Sequence, residues 1–331
     1  MGLGIRRALA LVWLFAFPAA VCADSPRYVD PENVDEDFAY QGEYTGQLGE
    51  DRLPWGVQVI AEGRGQFQAV AYSGGLPGDG WDRQPPVRTR GQLQEGRVPF
   101  QTEEASGILT PEGLAIYNPA GDRLGKLEKV HRQSPTLGAE PPENAVVLFD
   151  GTPESVENWR NGRITEDGLL MEGTTSRRTF GDHQIHFEFR NAYQPQDRGQ
   201  RRSNSGLYVQ GRYEVQILDS FGLEGKHDEC GGIYSVRDPD VNMCYPPLAW
   251  QTFEIDFTAA RYDDEGKRTA NPRMTVRHNG VVIHDDVALP GDRSTTAAPL
   301  GPGPEPGPIY LQDHGAPLRY RNIWVIEPRD N

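Results

Sequence analysis

Positive charge is scarce in this sequence. Its 33 Lys and Arg residues stand against 48 Asp and Glu residues, which gives a formal net charge of −15 at pH 7. A chain with this excess of acidic groups repels the phosphates of nucleic acids and anionic membrane surfaces. We therefore expect no nucleic-acid partner, whereas a neutral small-molecule substrate is compatible with the charge.

Long apolar runs are also missing after residue 23, so we predict no membrane span. At the start of the chain, Arg6 and Arg7 precede an apolar run over residues 8–21, and small residues follow it up to Ala23. This order is typical of a secretory signal peptide, and the run is too short for a spanning helix. We expect cleavage near Ala23 and a secreted or periplasmic mature protein.

Cysteine is rare as well, with three residues in the chain. Cys22 belongs to the predicted signal peptide, which leaves Cys230 and Cys244. An even pair in an exported protein favours a disulfide between them. Two isolated cysteines make a poor zinc site, so we expect no metal ligation by them and no cofactor. A divalent cation elsewhere in the protein stays an open alternative.

No amphipathic helix of useful length is present, while Gly (38) and Pro (27) are abundant. Short strands between glycine turns predict an all-β protein. Residues 24–131 are predicted to form a β-rich domain, either a meander or a small barrel. Residues 132–145 have the composition of an interdomain linker. Residues 146–328 are predicted to form a second all-β domain, a two-sheet sandwich.

Alternation of side chains is clearest at residues 183–190, where Ile185, Phe187 and Phe189 point to one face. Residues 290–308 are rich in Pro and Gly and are predicted to be a loop without regular structure. Four histidines on or beside strands of this second domain are interpreted as surface residues. These are His183, His186, His278 and His284.

A polar strand at residues 212–219 is the strongest candidate for chemistry. Glu214 and Gln216 share one face of it, and Tyr208 on the preceding strand would add a ring beside them. Asp219 reaches that face only if the strand contains a β-bulge. Two carboxylates on one surface can act as general acid and base. The alternative is that the polar residues are merely the solvent face of a strand.

Two further segments carry titratable groups. The first is Gln312-Asp313-His314-Gly315, where a histidine beside a carboxylate could move protons near neutral pH or where Asp313 could simply cap a turn. The second is the loop holding His227, which could line a cleft or lie in solvent. Tyr234 could stack on a ring-shaped ligand, although packing is the commoner role of such a residue.

These motifs together resemble the 3-keto-disaccharide hydrolase domain family. The residues that carry the resemblance are Phe149-Asp-Gly151, Asn204-Ser-Gly206, Tyr213-Glu-Val-Gln-Ile-Leu-Asp219, Gly232-Ile-Tyr234, His278-Asn-Gly280, Leu311-Gln-Asp-His-Gly315 and Arg321-Asn-Ile-Trp324. They occur in the family's order and cover more than half of the chain. The sequence departs from the family at Pro247-Leu-Ala-Trp250, where many members have Pro-Gly-Glu-Trp.

The resemblance implies a concanavalin-like jelly roll with a carbohydrate cleft. It implies cleavage of glycosides that are already oxidised to a ketone at C3, by elimination followed by hydration. In that scheme Glu214 is the base, and Asp219 or His227 is the acid. The residues expected to contact the sugar are Asn204, Tyr208, Arg212, Gln216, Tyr234, Gln312 and His314.

Two other functions are compatible with the same residues. The spacing Glu214-x-Gln216-x-x-Asp219 is similar to the Glu-x-Asp-x-x-Glu motif of laminarinase-like retaining glycosidases, which use two carboxylates. Here an amide replaces the middle acid and Asp replaces the last Glu. The jelly roll also occurs in non-catalytic carbohydrate-binding modules, since a fold does not determine a function. The sugar, its anomer and the oligomeric state are not predicted.

Overall fold

The computed structural model describes residues 25–328, and the predicted signal peptide lies outside them. The described part is almost entirely β structure, with one short α-helix, α1, at Pro153–Val156. Two 3₁₀ turns occur at Glu36–Ala39 and Gly199–Arg201. Within residues 25–328, no helix has the length and apolar character needed to cross a membrane. The predicted all-β class is confirmed.

Eight strands make up the first sheet. They are β1 (Gly42–Leu48), β2 (Leu53–Gly63), β3 (Gln66–Ser73), β4 (Val87–Gln92), β5 (Val98–Gln101), β6 (Ser106–Thr110), β7 (Gly113–Tyr117) and β8 (Arg123–Val130). Their order is β4-β3-β2-β1-β8-β7-β6-β5, and every neighbouring pair is antiparallel.

The two edges of this sheet come together, so that it curls into a nearly closed barrel. The Thr89 hydroxyl on β4 donates to the Gln101 carbonyl on β5 at 2.8 Å. Gly91 lies so close to β5 that a Cβ there would be 2.5 Å from the Pro99 carbonyl oxygen. Closure of this kind protects the exposed edges that an open sheet would offer to other chains.

Fourteen strands follow in the second part of the described chain. They are β9 (Val146–Phe149), β10 (Trp159–Arg160), β11 (Leu170–Met171), β12 (Thr174–Phe180), β13 (His183–Arg190), β14 (Ser205–Val209), β15 (Tyr213–Ile217), β16 (Trp250–Thr258), β17 (Arg261–Tyr262), β18 (Arg268–Ala270), β19 (Arg273–His278), β20 (Val281–Ala288), β21 (Gly307–Leu311) and β22 (Arg319–Ile326).

These strands form a β-sandwich. A five-stranded sheet has the order β10-β12-β21-β14-β15, and a seven-stranded sheet has the order β11-β22-β13-β16-β19-β20 with β9 beside β22. Phe187 and Phe189 from the larger sheet and Leu207 and Val215 from the smaller one belong to the same buried cluster. The alternation predicted for residues 183–190 therefore holds, because the apolar face is the sandwich core.

The outer face of the larger sheet is not open to solvent at its centre. Residues 134–139 cross it as a strap, in which the Gly138 amide donates to Glu188 at 2.6 Å and the Asn322 amide donates to the Ala139 carbonyl at 2.9 Å. His186 lies beneath the strap, with its ring stacked on Trp324 at 4.9 Å.

The interpretation of the strand histidines as surface residues is wrong. His183, His186, His278 and His284 are all buried. Local alternation placed His186 opposite the core correctly, but it carried no information about the strap that covers that face. Burial lowers the pKa of His278 to about 3, so this imidazole is neutral in the fold.

The predicted disulfide is also absent. Cys230 and Cys244 are both buried free thiols, and the Cys244 thiol donates to the Leu218 carbonyl at 3.5 Å. Burial raises the pKa of Cys244. The two side chains lie beside each other in the sandwich core, and Cys230 adds to the rise in the pKa of Cys244.

Candidate active site

The site develops on two neighbouring strands of the smaller sheet. β14 and β15 pair with Leu207 opposite Val215, Tyr208 opposite Glu214 and Gly206 opposite Gln216. Leu207 and Val215 face the core, so Tyr208, Glu214 and Gln216 face the other way. The strand pattern predicted this division, because successive side chains of a strand point to opposite faces.

A cleft of about 170 Å³ opens over this outer face. It is lined by Gln200, Asn204, Tyr208, Glu214, Gln216, Tyr234, Thr296, Ala297, Gln312 and His314. Seven of these ten residues were predicted as site residues from the sequence. Glu214 is the one carboxylate among them.

Glu214 is 2% exposed. Its Oε2 accepts a hydrogen bond from the Tyr208 hydroxyl at 2.8 Å, and no described residue bonds to its Oε1. Burial raises the pKa of Glu214 to about 7, while the Tyr208 hydrogen bond acts in the opposite direction. Burial disfavours the charged form of a carboxyl, whereas a donor to the carboxylate stabilises it. The group can therefore change protonation state near neutral pH.

Gly206 provides the space for that carboxylate. A Cβ at position 206 would lie 2.1 Å from Glu214 Oε1 and 2.8 Å from its Cδ. The backbone of Gly206 is not in the left-handed region, so the requirement for glycine here is one of space and not of backbone conformation.

Tyr208 links the carboxylate to the rest of the cleft. Its hydroxyl also lies 3.1 Å from the Thr296 carbonyl, and it accepts a hydrogen bond from the Gln312 amide at 3.1 Å. Burial, followed by the Glu214 charge, raises the pKa of Tyr208, so the phenol stays protonated. Strand β14, the strand end at Gln312 and the loop carrying Thr296 thus meet at one hydroxyl group.

Gln200 orients the side-chain amides of Asn204 and Gln216 in the cleft. Its Oε1 accepts from Asn204 Nδ2 at 2.9 Å and from Gln216 Nε2 at 3.0 Å, and its own Nε2 donates to the Asp228 carbonyl at 2.7 Å. These bonds fix the orientation of the Asn204 amide. Asn204 Oδ1 is buried and has no hydrogen-bond partner among the described residues. A buried acceptor of this kind is satisfied when a ligand hydroxyl reaches it.

Asp219 does not line the cleft, so the structure does not place it on the face of Glu214 that its prediction as a catalytic acid required. β15 ends at Ile217 without the bulge that the prediction required. The Asp219 carboxylate is buried and pairs with Arg202, with 2.7 Å between Oδ2 and Nε. The Arg202 guanidinium also lies 3.3 Å from the Ala61 carbonyl of β2, so this ion pair joins the sandwich to the barrel.

Arg212 is likewise absent from the cleft lining, which corrects its prediction as a sugar contact. Its Nε donates to the Gly301 carbonyl at 2.8 Å, and its own carbonyl accepts from the Thr295 amide at 2.9 Å. The Thr295 hydroxyl in turn accepts from the Glu214 amide at 2.9 Å. Arg212 therefore holds the loop at residues 290–306 against the site.

The two predicted histidines differ in position. His314 is exposed and lines the cleft. His227 is exposed at its rim, where its ring meets Tyr234 edge to face at 6.5 Å, and it does not line the cleft. Tyr234 itself lines the cleft, on the segment that covers the edge of β15, because its amide donates to the Glu214 carbonyl at 3.1 Å.

Sequence reasoning missed Gln200, Thr296 and Ala297. Gln200 lies in a 3₁₀ turn, and the other two lie in the Pro/Gly-rich loop, where no periodicity marks a residue. Within residues 25–328, no group of three or more His, Cys, Asp or Glu side chains is placed to hold a metal ion.

Residues 144–326 match a family model described as a 3-keto-alpha-glucoside-1,2-lyase-like domain. A Parabacteroides distasonis ATCC 8503 protein, provisionally described as a glycosyl hydrolase and solved at 2.13 Å, shares 29% sequence identity with a TM-score of 0.51, over 56% of this chain and 84% of its own. A second such protein from that organism, solved at 1.70 Å, shares 18% identity with a TM-score of 0.40, over 56% of this chain and 94% of its own. No curated protein sequence matches the chain.

Proposed function

Because the chain belongs to the 3-keto-alpha-glucoside-1,2-lyase-like family, and is thus a carbohydrate-active enzyme, we propose that it cleaves the glycosidic bond of 3-keto-glycosides by elimination and hydration. We propose further that it works outside the cytoplasm, on the basis of the signal-peptide pattern in residues 1–23.

One observation carries the proposal. The cleft lining contains a single carboxylate, Glu214, and this carboxylate is buried. Its Oε1 forms no hydrogen bond with a described residue, and burial raises its pKa to about 7. A general base works best when its pKa lies near the working pH. The C2 hydrogen of a 3-keto-sugar is acidified by the neighbouring ketone, so a carboxylate of this strength is suited to remove it.

The proposed reaction begins with elimination and ends with hydration. Glu214 takes the proton from C2, and the electron pair of that C2–H bond passes through an enolate into a C1–C2 double bond. The C1–O bond breaks, and the leaving oxygen takes a proton. Water then adds across the double bond, with its oxygen on C1 and a proton on C2. The net products are a 3-keto-sugar and a free alcohol or second sugar.

We assign the remaining roles from the cleft lining. His314 is the exposed imidazole in the cleft, and we assign it as the acid that donates a proton to the leaving oxygen. The Gln312 amide has a second N–H that can stabilise the oxygen of the enolate. Asn204 Oδ1 can accept a hydrogen bond from a sugar hydroxyl.

The laminarinase-like alternative is a retaining mechanism and requires two carboxylates in one cleft, about 5–5.5 Å apart. Asp219, the second acid of that motif, is paired with Arg202 outside the cleft lining. This arrangement favours base-catalysed elimination over a two-carboxylate displacement.

The decisive experiment compares an intact disaccharide with its 3-keto counterpart. We expect the mature protein to cleave the 3-keto form alone, as followed by mass spectrometry of the released sugar. In D₂O the released 3-keto-sugar should carry one solvent deuterium at C2, because hydration returns a solvent proton there. A control without enzyme corrects for spontaneous exchange beside the ketone.

Other outcomes would refute parts of the proposal. Cleavage of the intact disaccharide at a similar rate would identify a conventional glycosidase. Binding without turnover of either sugar would identify a carbohydrate-binding module. Cleavage of the 3-keto form without deuterium at C2 would reject elimination while keeping the substrate class.

The dependence of kcat/KM on pH provides a separate prediction. Glu214 acts as a base only when ionised, so the ascending limb of the kcat/KM profile should rise with pH through its pKa of about 7. In Tyr208→Phe the hydrogen bond that lowers this pKa is lost, and the rise should move to higher pH. Tyr262→Phe, on β17 and outside the cleft lining, should leave the profile in place. An unchanged or acid-shifted profile in Tyr208→Phe would contradict the assignment of Glu214 as the base.

A further inference from the structure

A second cavity lies inside the eight-stranded barrel. It has a volume of about 310 Å³, and all eight strands contribute to its walls. None of its lining residues lines the cleft that holds Glu214. We call this cavity the barrel lumen.

The lumen is a consequence of how the barrel is filled. Large side chains such as Tyr44, Phe67 and Leu109 are fully buried in the barrel and do not line the lumen. The wall of the lumen carries small residues instead, including Ala69, Ala71 and Gly107. An eight-stranded barrel is just wide enough to be filled by its own side chains or to hold one small ligand. Because of these small residues, the barrel has room for one small ligand.

The residues that line the lumen determine which kind of small molecule could bind in it. Deep positions such as Val57, Leu114 and Leu127 are apolar and at most 3% exposed, and the aromatic rings of Trp55 and Phe100 add flat surfaces. An apolar molecule in the lumen would make many close contacts with these walls, and the lumen volume lies within the range of known ligand pockets.

The charge of the lining residues further restricts the class of ligand that the lumen could bind. No Lys, Arg or His residue lines the lumen, and its one ionisable group, Glu104, is exposed and acidic. Ser106 offers a hydroxyl group beside it, and Thr102 Oγ1, which already bonds both backbone groups of Ala105, keeps one lone pair as an acceptor. An anionic ligand such as a fatty acid would find no counter-charge here and would meet a carboxylate. A neutral molecule with a hydroxyl group would find hydrogen-bond partners.

We infer that the barrel lumen is a binding site for a neutral, aromatic or compact apolar small molecule that carries a hydroxyl group. The aromatic ring occupies the apolar depth between Trp55 and Phe100. The hydroxyl group points towards Thr102 and Ser106. The site is independent of the sugar chemistry, because the two cavities share no lining residue.

The test uses the mature full-length protein and the neutral fluorophore N-phenyl-1-naphthylamine. We expect its fluorescence to increase on addition of the protein and to be reversed by 2-naphthol. The matched anion 2-naphthoate should displace the fluorophore at least roughly tenfold less effectively, because it has the same ring shape but a carboxylate in place of the hydroxyl group.

Two filling variants locate the binding. Ala69→Leu and Ala71→Leu each place a larger side chain in the lumen and should weaken fluorophore binding at least roughly tenfold. Ala288→Leu makes the same change at an exposed position of β20 and should have no effect. Far-UV circular dichroism and thermal unfolding show that each variant is folded.

The inference is overturned by any of three results. The wild-type protein shows no increase in fluorescence, both folded filling variants bind as well as the wild type, or 2-naphthoate competes as well as 2-naphthol. If either filling variant fails to fold, the other variant and the naphthol comparison on the wild type still decide the outcome. Activity towards the sugar is not used as a readout of binding, so failure here leaves the proposed function untouched.

Discussion

Glu214→Gln is expected to lower kcat/KM for a 3-keto-disaccharide by roughly 10²–10⁴-fold, the range that a positioned general base contributes. The substitution keeps the size of the side chain and an oxygen that can accept from Tyr208. It removes only the ability to take a proton. Initial rates of sugar release at pH 8, where the wild-type carboxyl is largely ionised, give the comparison its greatest contrast.

The thermal stability of the variant distinguishes loss of the catalytic base from misfolding. Folding raises the Glu214 pKa from 4.5 to about 7, so the folded protein holds this proton more tightly than the unfolded chain. The ionised carboxylate therefore destabilises the fold progressively from pH 4.5 upwards, and fully above about 7. Glutamine carries no charge, so the variant should unfold at the same or a higher temperature than the wild type at pH 8.

Glu157→Gln is the control for this substitution. Glu157 is an exposed glutamate at the end of α1 and does not line the cleft. It should retain wild-type kcat/KM. Turnover by Glu214→Gln within a few-fold of the wild type, in a folded protein, would remove Glu214 from the role of base.

Gly206→Ala should reduce kcat/KM by roughly a hundredfold although it adds a single methyl group, because displacement of a catalytic group by about 1 Å can have that effect. The methyl group would lie 2.1 Å from Glu214 Oε1, so the carboxylate must move. The backbone at position 206 accepts alanine without strain. Loss of turnover would therefore report on the carboxylate position.

Gly181→Ala provides the matched control, since a Cβ there would have no atom within 4 Å. It should keep wild-type turnover. Steady-state kinetics and thermal unfolding of both variants distinguish displacement of Glu214 from a general loss of stability. Full activity in a folded Gly206→Ala variant would mean that the carboxylate does not act from its observed position.

The sequence predicted what depends on local alternation. Glu214 and Gln216 lie two residues apart on one strand, so their shared face follows from the period of a strand, and Tyr208 follows from hairpin pairing. Each of these lies in the cleft. The resemblance to a family supplied what periodicity could not, namely that Gln312 and His314, about 100 residues further on, meet the same face.

The failures all involve contacts between segments that are distant in sequence. Asp219 follows the end of β15, where alternation no longer applies, and its partner Arg202 lies on another segment. Arg212 was placed in the cleft by its neighbours, but it binds the loop at residues 290–306 instead. The strap over His186 and the free state of Cys230 are likewise tertiary facts without a local signature.

The Arg202 bridge between Asp219 and the Ala61 carbonyl has a counterpart in the apolar core. Ile60 and Val70 of the barrel belong to the same buried cluster as Phe221 of the sandwich. We therefore expect the cooperative unit of unfolding to include the barrel as well as residues 144–326, which match the family model. Heat should melt barrel and sandwich in one transition, since neither can lose its shape without opening the core of the other.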